Sequence, residues 1–249
     1  MSAVLETRAL YKHFGALAVA QGIDFSLEAG ERRALIGPNG AGKTTFVNML
    51  MGGLAPSSGA ILLAGADVTR KSQRERVKRG LGRTFQINTL FARLTVLDNV
   101  CLAVAERHGV AWGLLRPAKR YHAVIDESMQ VLESLGLGAD AGRPLRSMPY
   151  GKQRLVEIAI ALGMRPRVLL LDEPAAGIPS LESHRILEVL AALPAEIAIL
   201  IIEHDMDLVF RFARRITVLA QGSVLMEGTP AEVAADERVR QVYLGARHG

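Results

Sequence analysis

The chain has 249 residues, with 30 lysines and arginines against 25 aspartates and glutamates and a net charge of +5. About half of it is apolar (49%) and 22% is charged, which excludes a disordered chain and suits one or two domains with a substantial core. One cysteine, Cys101, excludes an internal disulfide framework, suits a reducing compartment and reads as a small buried side chain.

In chain order, Val4–Ala9 and Gly22–Leu27 are predicted strands around a turn at His13-Phe14-Gly15. Arg33–Ile36 reads as a buried strand and Phe46–Leu50 as the start of a helix. Pro56–Gly59 is a turn, Ala60–Ala64 a strand, Lys71–Arg79 a basic surface helix and Leu81–Gln86 an extended segment. Residues 95–139 turn helical, with Ile125, Met129, Leu132 and Leu135 at helical spacing before Gly136 and Gly138. A second helix starts near Pro149, with Leu155, Ile158 and Leu162 as its apolar stripe. Val168–Leu171 is then a strand, Glu182–Leu193 a helix, Ile197–Ile202 a strand and Asp207–Ala213 a helix. Ile216–Ala220 and Ser223–Glu227 form a hairpin closed at Gln221-Gly222. The expected fold is α/β: a mostly parallel sheet with an antiparallel β layer before it and an inserted helical portion.

Met1–Leu10 lacks the apolar core of a signal peptide. Apolar runs such as Ile197–Ile202 are far shorter than the roughly eighteen residues of a membrane span. A cytosolic chain is therefore expected. Its positive charge suits nucleotides, nucleic acid or an anionic membrane without choosing among them, and no dense Lys/Arg cluster points to nucleic acid.

Two motifs carry chemistry. Gly37-Pro38-Asn39-Gly40-Ala41-Gly42-Lys43-Thr44-Thr45 fits the phosphate-binding loop pattern and lies between a predicted strand and helix, the context the pattern requires. Its glycines let backbone N–H groups curl around phosphate oxygens, and the helix adds its positive end. Lys43 is placed for the β- and γ-phosphates and Thr44 for Mg²⁺. Second, Val168–Leu171 ends in Asp172-Glu173, two acids at the carboxyl end of a buried strand, where open α/β sheets bind ligands. Asp172 suits Mg²⁺ through a water, and Glu173 suits orienting or deprotonating an attacking water.

With a later strand-end histidine, these motifs resemble the ATP-binding subunits of ABC transporters over essentially the whole length. The resemblance implies a P-loop NTPase core, with ATP and Mg²⁺ as ligands. Arg83-Thr84-Phe85-Gln86 looks like the family's Q-loop, so Gln86 would contact Mg²⁺ and the attacking water and would sense the membrane partner. Ile201-Ile202-Glu203-His204-Asp205 looks like the switch region, so His204 would contact the γ-phosphate, and Phe14 matches the aromatic that stacks on adenine. The signature segment appears as Met148-Pro149-Tyr150-Gly151-Lys152, with Pro149 replacing the usual serine. By resemblance Pro149, Tyr150, Gly151 and Lys152 act on ATP held by a second subunit. Pro179 replaces the usual Asp or Asn in the loop after Glu173, which suggests a partner chain with more standard loops.

The resemblance also implies one ATPase domain over 1–249, with 1–89 and 157–249 as the nucleotide-binding part and 90–156 as the helical part. It implies integral-membrane permease subunits, a second ATPase subunit, indirectly a periplasmic substrate-binding protein, no nucleic acid, and a peripheral place on the cytoplasmic face of the inner membrane. Leu90–Val96, Gly228–Val233 and Val242–Gly245 are similar to importers of branched-chain amino acids. Phe91 and Leu94 are candidates for gripping the permease, with core packing as the alternative. An exporter of lipid or lipopolysaccharide, a soluble ABC protein acting on nucleic acid and a weakly hydrolysing regulator are the competing readings.

Overall fold

A computed structural model describes residues 3–84, 90–110 and 118–245. Two sheets share the work. Strands β1 (Ala3–Phe14), β2 (Leu17–Glu28), β4 (Ser58–Leu63) and β5 (Ala66–Asp67) form an antiparallel sheet in the order β2-β1-β4-β5. The second sheet runs β10 (Ser223–Gly228), β9 (Arg215–Ala220), β3 (Arg32–Ile36), β8 (Ala198–Ile202), β7 (Val168–Asp172), β6 (Leu81–Arg83). It is parallel except for the edge strand β10. The expected α/β class and the antiparallel layer are both present.

Strand β8 is apolar throughout and β7 is apolar up to Asp172 because both faces are covered. Their alternation sorts the residues: Val168 and Leu170 join one core, Leu169 and Leu171 the other. In the first core lies α1 (Lys43–Met51), packed against the antiparallel sheet with Phe46 edge-on to Phe25 at 5.5 Å between ring centroids. The second core takes α3 (Val96–Arg107), α4 (Ala118–Ser134), α5 (Tyr150–Gly163), α6 (Ser180–Ala191) and α7 (Met206–Phe212). Helices α8 (Pro230–Ala235) and α9 (Glu237–Gly245) complete it.

Two expectations change. The first two strands are twelve residues each rather than six, and the turn sits at Gly15-Ala16, leaving Phe14 at a strand end. The pattern breaks at Ala9 because the strand bulges there: Ala9 adopts φ 43° and its N–H donates to Asp24 instead of the ladder. The basic segment forms α2 (Gln73–Lys78), yet Arg76 within it is only 1% exposed. Its guanidinium donates to the carbonyls of Met49, Leu50, Thr69 and Lys71, and so caps the C-terminal end of α1. The helix expected near Pro149 is present: α5 starts at Tyr150 with Pro149 as its cap residue. Gln86 lies outside the described residues.

Candidate functional site

The parallel register brings the two motifs together. Ile202 at the end of β8 pairs with Leu35 of β3 on one side and Asp172 of β7 on the other. The P-loop after β3, the acids at the end of β7 and His204 after β8 therefore rise from adjacent strand ends, the expected place for a ligand.

In the loop, Gly37, Gly40 and Gly42 have φ of 155°, 76° and 99°. A Cβ at Gly37 would meet the Leu219 carbonyl at 2.2 Å, and one at Gly42 the Val19 carbonyl at 2.7 Å, so bare backbone is required at both. Pro38 is half-buried, Asn39 and Gly40 are exposed, and Ala41 is buried beneath them. Lys43 Nζ folds back across the loop, donating to the carbonyls of Gly37 at 2.6 Å and Pro38 at 3.0 Å. Burial lowers its pKa, opposed by the charges of Glu173 and Asp172. Thr44 is exposed and Thr45 half-buried on the first turn of α1. A cradle of N–H groups, one cation and a helix N-terminus fits a nucleotide's phosphates.

Asp172 and Thr44 together supply one carboxylate and one hydroxyl, a hard oxygen set of the kind that magnesium takes beside phosphate and water. No group of three or more His, Cys, Asp or Glu fit for a metal occurs among the described residues. Asp172 is also ion-paired, Oδ2 to an Arg83 guanidinium nitrogen at 2.9 Å. Glu173 follows in the left-handed region (φ 46°), a strained state for a residue with a side chain. Its N–H donates to the Ile202 carbonyl at 2.9 Å, and its Oε1 stands 3.3 Å from His204 Nδ1. Both side chains are open to solvent.

The other candidates are placed as follows. Phe14 is half exposed (50%), with Lys12 Nζ 5.0 Å from its ring centre, so it is not a core phenylalanine. Phe91 (59%) and Leu94 (38%) are exposed rather than core. Leu90, Phe91, Leu102, Ile160 and Met164 line an apolar groove that also includes Arg83. Cys101 is half-buried, and burial raises its thiol. In the Met148–Lys152 segment, the first turn of α5 carries no side-chain cap, and Gly151 within it is buried. Tyr150 is exposed and accepts from Arg154, and its ring lies beside Gly177 of the loop after Glu173. Gly151 packs on Glu182, which a Cβ there would meet at 2.4 Å. Lys152 is not a free cation: its Nζ donates to Asp140 at 2.6 Å.

Sequence reasoning missed Arg83, 89 positions from its partner Asp172, and Glu203, a buried carboxylate beside His204. It also missed Tyr243, whose buried hydroxyl lies near the Gly37 backbone and is pushed up to about 12 by burial. Only adjacency to a motif could have signalled the first two.

Residues 20–176 match the family model described as ABC transporter, and residues 223–249 match one described as branched-chain amino acid ATP-binding cassette transporter. The chain is similar to the high-affinity branched-chain amino acid transport ATP-binding protein BraF of Pseudomonas aeruginosa, at 36% identity over 97% of this chain and 98% of that one. It is similar also to the lipopolysaccharide export system ATP-binding protein LptB of Acidithiobacillus ferridurans, at 37% identity over 98% of each. Its fold matches the crystal structure of the ADP conformation of MJ1267, an ATP-binding cassette of an ABC transporter, with a TM-score of 0.85 and 29% identity over 98% of this chain and 100% of that one.

Proposed function

The chain belongs to the ABC transporter family of ATP-binding proteins, and from that premise we propose that it is the ATP-hydrolysing subunit of an uptake system for branched-chain, hydrophobic amino acids. The observation that carries the hydrolytic reading is the meeting of Glu173 and His204 at 3.3 Å on strand ends next to the P-loop. The cargo reading rests on the match of residues 223–249 and on relatives such as BraF.

The P-loop amides from Gly37 to Thr45 and Lys43 hold the phosphates of ATP, while the exposed Phe14 ring stacks on its base. Thr44 and Asp172 would hold Mg²⁺, joined on the family resemblance by Gln86, and the ion would supply charge neutralisation of the phosphates. Glu173 orients a water and takes its proton as the oxygen attacks the γ-phosphorus and the bond to the departing ADP breaks. His204 donates to the γ-phosphate and is steadied by Glu173. The first turn of α5, from Pro149 to Lys152, faces ATP on a second subunit through its helix N-terminus, so two nucleotides are closed between two chains and hydrolysis reopens them.

The chain works as a single ATPase unit, with 1–89 and 157–249 binding nucleotide and 90–156 contributing the helical part. No helix among the described residues is long and apolar enough to cross a membrane. By likeness to subunits such as BraF, passage through the bilayer belongs to permease subunits, whose helix docks in the groove of Leu90, Phe91 and Leu102, with the chain peripheral on the cytoplasmic face. Specificity for cargo lies with a periplasmic binding protein.

Lipopolysaccharide export is the second reading, favoured by the 37% identity to LptB. Gentle solubilisation of native membranes with a tagged chain separates the two. A permease, a second ATPase and a periplasmic protein that binds leucine, isoleucine or valine support uptake. A permease without a binding protein supports export, and no membrane partner at all contradicts both.

A further inference from the structure

All five residues of β8 are buried and apolar, and the chain then places a carboxylate, Glu203, at 2% exposure. A buried charge is costly unless groups nearby use it. Glu203 Oε1 accepts from the Ala175 N–H at 3.3 Å, and Oε2 accepts from the His204 N–H at 3.3 Å. Oε2 also lies 4.0 Å from His204 Nδ1, the nitrogen that faces Glu173. Burial raises the carboxyl's pKa, the two N–H groups and the His204 ring lower it, and the charge of Glu173 raises it further. One side chain thus spans two segments. Ala175 opens the loop that runs past Gly177 and Pro179 into α6, and His204 lies two residues beyond the end of β8.

We propose that Glu203 is a positioning residue for ATP hydrolysis: it fixes His204 against Glu173 and ties the loop beginning at Ala175 to the same point. The proposal rests on the reading of Glu173 and His204 as hydrolytic groups. An apolar residue at this position would fill the space but leave two buried N–H groups without an acceptor. Glutamine would fill it too, but its amide presents an NH₂ to one of the two donors and so frees one segment. Aspartate is too short to reach both.

The test is steady-state hydrolysis by the full chain, with equilibrium ATP affinity measured on each variant to show that it is folded. Glu203→Gln and Glu203→Asp are each expected to lower kcat about tenfold or more, while ATP affinity changes less than about twofold. In a His204→Ala background, Glu203→Gln is expected to add less than about a further twofold, because both act through one group. Wild-type kcat in either ATP-binding variant would overturn the proposal. So would a Glu203→Gln loss that multiplies in full on top of His204→Ala. Wild-type turnover by His204→Ala alone would instead overturn the reading of His204, and this proposal with it.

Discussion

Arg83 donates to Asp172 at 2.9 Å and to the Asn48 side chain at 3.1 Å, which ties the strand leading toward Gln86 to the acid ending β7 and to the helix after the P-loop. The pair is partly exposed, so its worth is modest, about 1 kcal/mol. A double-mutant cycle of Arg83→Met and Asp172→Asn by urea denaturation is expected to give a coupling of about that size. Full additivity would mean that the two side chains touch without supporting each other.

Arg76 is the larger structural commitment. It closes four backbone carbonyls, two of them at the end of the helix that begins with Lys43. Arg76→Met is expected to destabilise by about 3 kcal/mol, seen as a lower urea midpoint at unchanged slope. A loss within the about 0.5 kcal/mol typical of surface sites would contradict the capping role.

Lys43 now serves two loop carbonyls at 2.6 and 3.0 Å, contacts it would exchange for phosphate oxygens. Lys43→Ala is expected to weaken ATP binding about ten- to a hundredfold, the worth of one or two charge-assisted hydrogen bonds. Calorimetric titration reads this directly, and unchanged affinity would place the phosphates elsewhere.

Asp140 is held below its usual pKa of 3.8, first by Lys152 and then, against the cost of burial, by Arg143. A depressed acid contributes stability that is fully present above its unfolded pKa and is lost as pH falls through the folded one. Lys152→Met is therefore expected to be less stable than wild type near neutrality. The gap should narrow as pH drops below 3.8. Thermal unfolding across that range tests it, and a gap independent of pH would show that Lys152 acts through packing alone.

The candidate nucleotide site was legible where one local pattern carries the proposed chemistry. The apolar strands expected before Asp172 and His204 are present to within a residue, as β7 (Val168–Asp172) and β8 (Ala198–Ile202), because strands buried on both faces show as apolar runs. What stayed hidden depends on distance or on disguise. Arg76 sits in a stretch whose basic composition mimics a solvated face, while its contacts lie on α1 and the Thr69–Lys71 turn. A bulge at Ala9 interrupts the alternation that would have shown the full length of β1. Nothing local to Lys152 announces its ion pair with Asp140, and nothing local to Glu203 announces that its carboxylate is buried.

The most direct test of the account is Glu173→Gln, assayed for both turnover and ATP binding. The variant keeps the size of the side chain and removes its basicity, so turnover is expected to fall by about 10²- to 10⁴-fold while ATP binding persists. Hydrolysis at the wild-type rate would contradict the assignment of Glu173 and, with it, the proposed chemistry of the site.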